Sequence, residues 1–173
     1  MWNSDMQIRI GNGYDVHRFA DKEDSAAFIT IGGVQITHNR TLLAHSDGDV
    51  LVHALCDALL GALALGDIGQ HFPDTDTRYK NCNSMELLTH VVKLLAAAGW
   101  YLANADMTLV AQAPRFSPYV NLMRTTLAAH LSVNPDQVSV KATTTEGLGF
   151  TGRREGIACY AVVLIQKKPD EHQ

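Results

Sequence analysis

Residues 42–66 of the chain read LLAHSDGDVLVHALCDALLGALALG, a stretch rich in alanine and leucine. Ser46 and Asp49 have the spacing of a capping box, which marks the beginning of a helix. We therefore predict a helix from Asp47 to Leu65, with Gly66 as the residue just beyond its end. The apolar positions recur with the helical period and predict a buried stripe of Leu51, Leu55, Leu59, Ala62 and Leu63.

The rest of the chain alternates between strand and helix patterns. Residues 7–14 predict a strand that continues into Asp15-Val16-His17, and residues 28–36 predict a β-hairpin around Gly32-Gly33. The other predicted elements are a loop over 67–81, a helix over 85–98 capped by Ser84, a strand over 105–112, a helix over 118–131 capped by Ser117, a strand over 138–142, a loop over 143–156 and a buried central strand over 157–165. This order predicts an α/β (α+β) fold, in which a mixed β-sheet packs on helices and a β-hairpin is added. We expect a single domain of residues 1–173 with a core over about 7–166.

Composition limits the classes of protein to which the chain can belong. Of its 173 residues, 46% are hydrophobic and 18% are charged, and the formal net charge is −4. This composition provides enough apolar side chain for a core, and its acidic balance argues against a nucleic-acid partner. We expect no membrane partner, because no apolar run reaches the roughly 18 residues of a spanning helix. Three cysteines without a CxxC pair, and an N-terminus unlike a signal peptide, predict a cytoplasmic protein.

Three polar side chains form a possible metal site. Asp15 and His17 are two residues apart on a predicted strand, so they point to the same face, and His53 lies on the predicted helix. A carboxylate and two imidazoles with a fourth position open are typical of a catalytic zinc site. Polar residues at the surface end of a strand also fit so short a pattern. Asp49 and Asp57 flank His53 at four residues on either side, and they could accept its second N–H or be solvated surface acids.

Other polar groups favour a phosphorylated ligand. His45 and Ser46 directly precede the predicted helix, whose N-terminal N–H groups attract phosphate. Asp67-Ile68-Gly69 could hold sugar hydroxyls, and residues 143–154, TTTEGLGFTGRR, offer hydroxyls, N–H groups and Arg153 to a phosphate ester. Four loop acids could hold Mg²⁺ or be solvated, namely Asp67, Asp74, Asp76 and Glu146.

Long stretches of the sequence resemble one family. The chain is similar to the 2-C-methyl-D-erythritol 2,4-cyclodiphosphate synthases from about Arg9 to Ile165, which is nearly its whole length. The stretches that carry the resemblance are GYDVHRF (13–19), LLAHSDGDVLVHALCDALLGALALGDIG (42–69), FPDTD (72–76), AQAPR (111–115) and VKATTTEGLGFTGRREGIA (140–158). Motifs of this length favour the metal interpretation of Asp15, His17 and His53 over the surface one.

The resemblance implies a role for individual positions. The implied metal ligands are Asp15, His17 and His53 for zinc, and Glu146 for Mg²⁺ or Mn²⁺. The implied catalytic residues, which stabilise the transition state, are His45 and Thr144. The implied contacts of the methylerythritol phosphate pocket are Ser46, Asp67, Ile68, Gly69, Phe72, Pro73, Asp74, Thr75 and Asp76. Asp15, Val16, His17 and His45 are implied substrate contacts as well. The implied contacts of the cytidine site are Ala111, Gln112, Ala113, Pro114, Arg115, Phe116, Ser117, Ala142, Thr143 and Thr144. Further implied substrate contacts are Thr145, Glu146, Phe150 and Arg153.

The reaction that the resemblance implies is intramolecular. In 4-diphosphocytidyl-2-C-methyl-D-erythritol 2-phosphate, the 2-phosphate attacks the β-phosphorus, CMP leaves, and 2-C-methyl-D-erythritol 2,4-cyclodiphosphate forms in the non-mevalonate isoprenoid pathway. The implied activity is that of a phosphorus–oxygen lyase acting on a small cytidine diphosphate derivative, in a homotrimer with active sites between subunits. The residues by themselves leave two alternatives open, a zinc phosphodiesterase that uses water and a non-catalytic metal- or nucleotide-binding module.

Overall fold

The computed structural model describes residues 7–73 and 82–169. Its elements in chain order are β1 (Ile8–Arg18), β2 (Phe28–Ile31), β3 (Val34–Thr37), α1 (Val50–Ala62), α2 (Ile68–His71), α3 (Ser84–Ala97), β4 (Trp100–Val110), α4 (Val120–Leu131), a 3₁₀ turn (Pro135–Gln137), β5 (Val138–Thr143), α5 (Gly149–Gly152) and β6 (Gly156–Lys167). In these two described ranges, no helix combines the length and the apolar character needed to cross a membrane.

The main sheet is mixed, as expected. Its strand order is β1-β6-β4-β5, in which β4 and β5 are parallel and the other neighbours are antiparallel. Strands β1, β4 and β5 therefore all finish at the same end of the sheet. Helix α1 packs on β1 and β6, α3 packs on α1 and β4, and α4 packs on β5. Strands β2 and β3 form the separate hairpin that the Gly32-Gly33 pair predicts.

Helix α1 lies directly on the backbone of β1, because two glycines leave no side chains between them. A Cβ added to Gly11 would lie 1.8 Å from the carbonyl oxygen of Ala58, and one added to Gly13 would lie 1.9 Å from that of Ala54. Any other residue at either position would force the helix away from the strand. This contact fixes the spacing between the two elements that carry the predicted metal ligands.

The buried carboxylate of Asp49 joins the hairpin to α1. Its Oδ1 accepts the N–H of Val52 at 3.1 Å, which caps the helix, and the N–H of Gly32 at 2.8 Å. Its Oδ2 accepts the N–H of Gly33 at 2.7 Å. Burial raises the pKa of Asp49 to about 6, although the three N–H groups favour the ionised form. The two glycines adopt φ of 60° and 73°, which is why this turn requires them.

Helix α1 is shorter than predicted at both ends. It begins at Val50 rather than Asp47, because Asp49 and not Ser46 is its N-cap, so the predicted capping box does not form. It finishes at Ala62 rather than Leu65, and Gly66, with φ of 84°, lies beyond the turn that follows.

Other predicted boundaries also differ from the structure. Strand β4 begins at Trp100, five residues earlier than predicted, because β6 offers it partners along its whole length. Helix α4 begins at Val120 without a side-chain cap, so Ser117 does not cap it. The loops predicted over 67–81 and 143–156 contain the short helices α2 and α5.

The face of the main sheet opposite α1 is open in this chain. Strand β6 is internal to the sheet, as expected, but it is not buried on both sides, since Tyr160 is 51% and Val162 44% exposed. Ile10 is 69% exposed, and the rings of Tyr14 and Tyr160 lie 4.8 Å apart on the same surface. We call Ile10, Tyr14, Val16, Tyr160 and Val162 the outer face.

Candidate active site

The inward face of β1 and the first turns of α1 bring the three predicted zinc ligands together. The Oδ2 of Asp15 lies 3.1 Å from Nε2 of His17 and 3.0 Å from Nδ1 of His53. The two ring nitrogens are 3.1 Å apart. His53 is buried and the other two residues are half-buried. Among residues 7–73 and 82–169, this is the one group of three or more such side chains with ligand atoms in mutual reach, and we call it the Asp-His-His trio.

The spacing and chemistry of the trio fit a divalent metal ion. Ligand atoms of a tetrahedral site with bonds of about 2.0 Å lie about 3.3 Å from one another. The observed separations of 3.0–3.1 Å are close to this value. Two imidazoles and one carboxylate suit zinc and related transition metals better than Mg²⁺, which prefers oxygen ligands. The structure therefore supports the metal interpretation over isolated surface polar residues.

Electrostatics at the trio favour a bound cation. Burial alone would raise the pKa of Asp15, but hydrogen bonds from His17 and His53 and their positive charge hold it well below its usual range. Burial alone would lower the pKa of His53, but the hydrogen bond and charge of Asp15 raise it. The lone pairs of three acceptor atoms repel one another at this separation unless a proton or a metal ion lies between them.

The second ring nitrogen of His53 binds hydroxyl groups. Its Nε2 lies 2.9 Å from Oγ of Ser84 and 3.2 Å from Oγ of Ser46. The prediction that Asp49 or Asp57 could be its partner is wrong. Asp49 caps α1, and Asp57 accepts the first backbone N–H of α2 at 2.8 Å.

Sequence reasoning missed Ser84 as a neighbour of the trio. Its position before an apolar helical run predicts an N-cap, but Asn83 takes that role by accepting the N–H of Met85 at 2.9 Å. Ser84 is instead fully buried, and both its hydroxyl and its backbone N–H donate to Asp47. This contact joins residues 37 positions apart, and no local pattern signals it.

A cavity of about 340 Å³ opens at the trio. The predicted site residues that line it, besides the trio, are His45, Ser46, Ile68, Gly69 and Phe72, and Leu43, Ala44 and Leu87 complete it. Asp67 is not among the lining residues, because its carboxylate caps α2 by accepting the N–H of Gln70 at 3.0 Å. Pro73 follows Phe72 in the chain, and the predicted contacts Asp74, Thr75 and Asp76 lie outside the described residues.

His45 and Ser46 reach this cavity from a loop rather than from a helix N-terminus. Helix α1 begins only at Val50, and Asp49 already occupies its N-terminus by accepting the N–H of Val52. The predicted helix start at Asp47 is therefore wrong, and the two residues precede the helix by five and four positions. The two side chains remain beside the trio, where they present polar groups to the cavity.

A second cavity, of about 430 Å³, lies where β4 and β5 finish. Its lining consists of predicted cytidine-side residues, namely Ala111, Gln112, Pro114, Arg115, Phe116, Ser117, Ala142, Thr143 and Thr144. Ala113 belongs to the same loop but not to the lining. Thr144 donates from Oγ1 to Oε1 of Glu146 at 2.9 Å, and both residues are exposed. Thr145 donates to the carbonyl oxygen of Leu148 within its own loop.

Three further predicted contacts border a separate cavity of about 520 Å³, namely Val16, Phe150 and Arg153. The Nε and an Nη of Arg153 donate to the two carboxylate oxygens of Glu155 at 2.8 and 3.1 Å, so a carboxylate already pairs with this guanidinium. The spacing Gly147-x-Gly149-x-x-Gly152 in this loop resembles a dinucleotide-binding motif. However, α5 has four residues and the chain continues into an antiparallel strand, so the loop is not a Rossmann turn.

Within one chain, the first two cavities lie at opposite edges of the sheet. Asp15 pairs with Cys159, Cys159 with Leu109, and Leu109 with Ala142. This row crosses three strand spacings, a distance of about 14 Å. The two cavities share no lining residue. The structure therefore brings the trio and the His45 loop together, but it does not bring Glu146 to them.

The sequence matches known proteins over nearly its whole length. The model of the YgbB family matches residues 8–166. A 2-C-methyl-D-erythritol 2,4-cyclodiphosphate synthase from Pseudomonas syringae pv. syringae (strain B728a) is 61% identical over 158 residues, which are 91% of this chain and 98% of the relative. One of the same name from Pseudomonas aeruginosa (strain UCBPP-PA14) is 60% identical over 161 residues, which are 93% of this chain and 100% of the relative.

Solved structures share the fold as well. The bifunctional IspDF from Campylobacter jejuni superposes with a TM-score of 0.88 at 44% identity over 94% of this chain, which spans 43% of that longer protein. IspF of Plasmodium falciparum, described as a CDP complex, superposes with a TM-score of 0.82 at 34% identity. The match covers 94% of this chain and 97% of that protein's chain. These matches confirm the family and the fold class that the sequence motifs predict. The chain belongs to the YgbB family, whose curated relatives are 2-C-methyl-D-erythritol 2,4-cyclodiphosphate synthases.

Proposed function

We propose that the chain converts 4-diphosphocytidyl-2-C-methyl-D-erythritol 2-phosphate into 2-C-methyl-D-erythritol 2,4-cyclodiphosphate and CMP. An oxygen of the 2-phosphate forms a bond to the β-phosphorus, and the bond from that phosphorus to the bridging oxygen of CMP breaks. The observation that carries this proposal is the Asp-His-His trio, which opens into a cavity in a member of this family. The names of the curated relatives and the CDP in a related structure support the substrate class.

Neutralisation of charge, rather than a general base, is what this reaction requires. A phosphate monoester has a second pKa near 6, so the attacking oxygen is largely ionised at neutral pH. The barrier arises because an anion must approach a phosphorus atom that anionic oxygens surround. Zinc held by the trio, with Mg²⁺ or Mn²⁺ held by Glu146, would supply positive charge at the diphosphate.

The residues around the trio would position the substrate. His45 and Ser46 offer hydrogen-bond donors beside it, and Phe72 and Leu87 form an apolar wall that can contact the carbon skeleton. Thr144 would add a donor near the diphosphate once its hydroxyl turns away from Glu146. Donors that are already oriented toward developing charge lower the barrier because they need not reorganise during the reaction.

We infer that the working site forms between neighbouring subunits of a homotrimer. The trio lies at the β1 edge of the sheet and the second cavity at the β5 edge, so a single chain does not offer both cavities to one diphosphate. A cyclic arrangement with head-to-tail contacts can place the first cavity of each subunit beside the second cavity of the next. The outer face supplies apolar surface that such contacts would bury. Native mass spectrometry should give three chains per assembly.

We also infer a cytoplasmic location. Cys56, Cys82 and Cys159 are all free thiols, and two of them are buried. Unpaired cysteines in this number are typical of a reducing compartment.

Phosphorus NMR of the purified protein with the substrate and Mg²⁺ tests the reaction. A cyclic diphosphate together with CMP is the expected outcome. A linear bisphosphate would instead indicate a phosphodiesterase that uses water, and unchanged substrate would indicate a binding module. Elemental analysis of the same preparation should give one zinc per chain, and another metal in its place would contradict the zinc assignment.

A further inference from the structure

The polar groups behind His53 form a directed chain of hydrogen bonds. Ser84 Oγ lies 2.9 Å from Nε2 of His53 and also binds Oδ1 of Asp47. The Oδ2 of Asp47 accepts the backbone N–H of Ser84 at 3.1 Å. Ser84 is fully buried and His53 is 6% exposed, so bulk water has little access to the bond between them, whereas Asp47 is half-buried.

The carboxylate of Asp47 determines which atom donates at each step. An ionised carboxylate can only accept, so the hydroxyl of Ser84 gives its hydrogen to Asp47. The oxygen of that hydroxyl can then only accept from the ring, so Nε2 of His53 is the donor. An imidazole that carries its hydrogen on Nε2 has its lone pair on Nδ1. Nδ1 is the atom that lies 3.0 Å from Oδ2 of Asp15.

We propose that Asp47 and Ser84 are positioning residues of the metal site, which hold His53 in its Nε2–H form with the Nδ1 lone pair directed at the ion. The inference rests on the proposed metal-dependent function, and it concerns two residues that belong neither to the trio nor to the cavity lining. In the other tautomer, His53 would present an N–H to the ion and could not bind it. Outer partners of this kind change metal affinity by about 10–100-fold.

Ser46 is the other neighbour of the ring, but it does not define the tautomer. Its Oγ lies 3.2 Å from Nε2 of His53 and accepts the N–H of Gly48 at 3.3 Å. Its own hydrogen is not committed to a carboxylate among the described residues, so the hydroxyl can either donate to the ring or accept from it. Ser46→Ala should therefore weaken metal binding less than Ser84→Ala.

Zinc affinity of the purified full chain, measured against a competing chromophoric chelator, tests the proposal. Ser84→Ala should weaken Zn²⁺ binding by about 10–100-fold. Asp47→Asn should act in the same direction, because its amide can donate to Ser84 and so reverse the chain of hydrogen bonds. The matched control is Thr89→Ala, which removes from the same helix a hydroxyl that donates to the carbonyl oxygen of Met85 at 2.8 Å. This control should bind Zn²⁺ as the unaltered protein does.

A ring ¹⁵N NMR spectrum of the zinc-loaded protein reads the tautomer directly. The unaltered protein should show a slowly exchanging Nε2–H on His53, and Ser84→Ala should lose this protection. If Ser84→Ala does not fold, Asp47→Asn provides the same two measurements.

Each result separates the positioning role from the proposed function. Zinc affinity within about threefold of the unaltered protein, with an unchanged Nε2–H signal, would overturn the positioning role and leave the metal site intact. If the zinc affinity falls only in variants whose metal-free form also has a lower melting temperature, and the Nε2–H signal is unchanged, Asp47 and Ser84 support the fold and do not position His53. An unaltered protein that binds no Zn²⁺ would contradict the proposed function, and the positioning role with it.

Discussion

The region around the trio differs from the loop that carries Thr144 and Glu146. At the trio, the side chains of His53, Ser84 and Asp49 are buried and bind other parts of the protein. In the loop, Thr144 and Glu146 are exposed and bind each other. We call β1, α1, residues 43–49 and Ser84 the metal half. The nucleotide half consists of residues 111–117 and 142–154. The comparison teaches that the metal half is complete when one chain folds, because its ligands project from the core. The nucleotide half is an exposed surface of the same chain. Within one chain the trio does not lie beside it, so the phosphate end of a ligand bound there would not reach the trio.

The largest effect should come from removal of a ligand in the metal half. We expect His53→Ala to lose the metal and almost all turnover while the protein remains folded. Loss of a single group that stabilises transition-state charge costs about 10²–10³-fold in rate, and loss of a metal ligand should cost at least as much. Metal analysis, a turnover assay and circular dichroism measure the three quantities. The matched control is His130→Ala, an exposed histidine that binds the carbonyl oxygen of Thr126 on α4. Full zinc content in His53→Ala would rule out the trio as the site.

Mixing two inactive variants tests whether the two halves meet across subunits. We expect His17→Ala and Glu146→Ala to be nearly inactive as separate homotrimers. After the two are unfolded, mixed equally and reassembled, about one interface in four should join an intact metal half to an intact nucleotide half, so about a quarter of the activity should return. If both halves belonged to one chain, every site would retain one lesion. No recovery in heterotrimers verified by mass would therefore place the whole site within a single subunit.

A stability measurement sharpens the contrast between a core-bound half and an exposed half. Asp49→Ala leaves the N–H groups of Val52, Gly32 and Gly33 without their acceptor. We expect the free energy of unfolding to fall by about 3 kcal/mol, since a lost cap costs about 1 kcal/mol and an unsatisfied buried N–H about 1–3 kcal/mol. Thr144→Ala, in the nucleotide half, should change it by less than about 0.5 kcal/mol. Urea denaturation measures the loss in free energy of unfolding for both variants. Losses of equal size would contradict the difference between the core-bound half and the exposed half.

The smallest effect should come from the cysteines, which neither half uses. Burial raises the pKa of Cys56 and Cys159 well above the usual range, so both thiols are poor nucleophiles at neutral pH. We expect replacement of all three cysteines by Ala or Ser to leave the rate within about tenfold, or roughly 1.4 kcal/mol of barrier. Thr144→Ala should cost more than that. A folded, cysteine-free enzyme without activity would refute non-covalent catalysis.

The metal half shows how far the sequence allows prediction. The two-residue period places Asp15 and His17 on one strand face, and the stripe of Leu51, Leu55 and Leu59 correctly predicts the buried helix beside them. The hydrogen bonds of Ser84 could not be predicted, because its partners lie 31 and 37 residues away and its local pattern resembles a cap.

The nucleotide half was less accessible to reasoning from residue types. Thr144 and Glu146 stand in a Thr/Gly-rich loop whose polar groups suit many ligands, so the roles proposed for them rest on the family resemblance alone. Tyr160 and Val162 mislead in a different way. A continuous apolar run predicts a strand buried on both sides, yet within one chain their side of the sheet is open. Periodicity describes which residues avoid water, but it does not tell whether the same chain or another one covers them.

The two glycines that seat α1 on β1 have a consequence for ion selectivity. Because backbone meets backbone at Gly11 and Gly13, the gap between strand and helix cannot widen to suit a larger ion without unpacking the core. Ca²⁺ needs bonds of about 2.3–2.6 Å and six to eight oxygen ligands, and a frame of this width offers neither. Small ions with bonds near 2.0 Å fit without displacement of either element. At the proposed metal site, the close contact of strand and helix would thus disfavour larger ions.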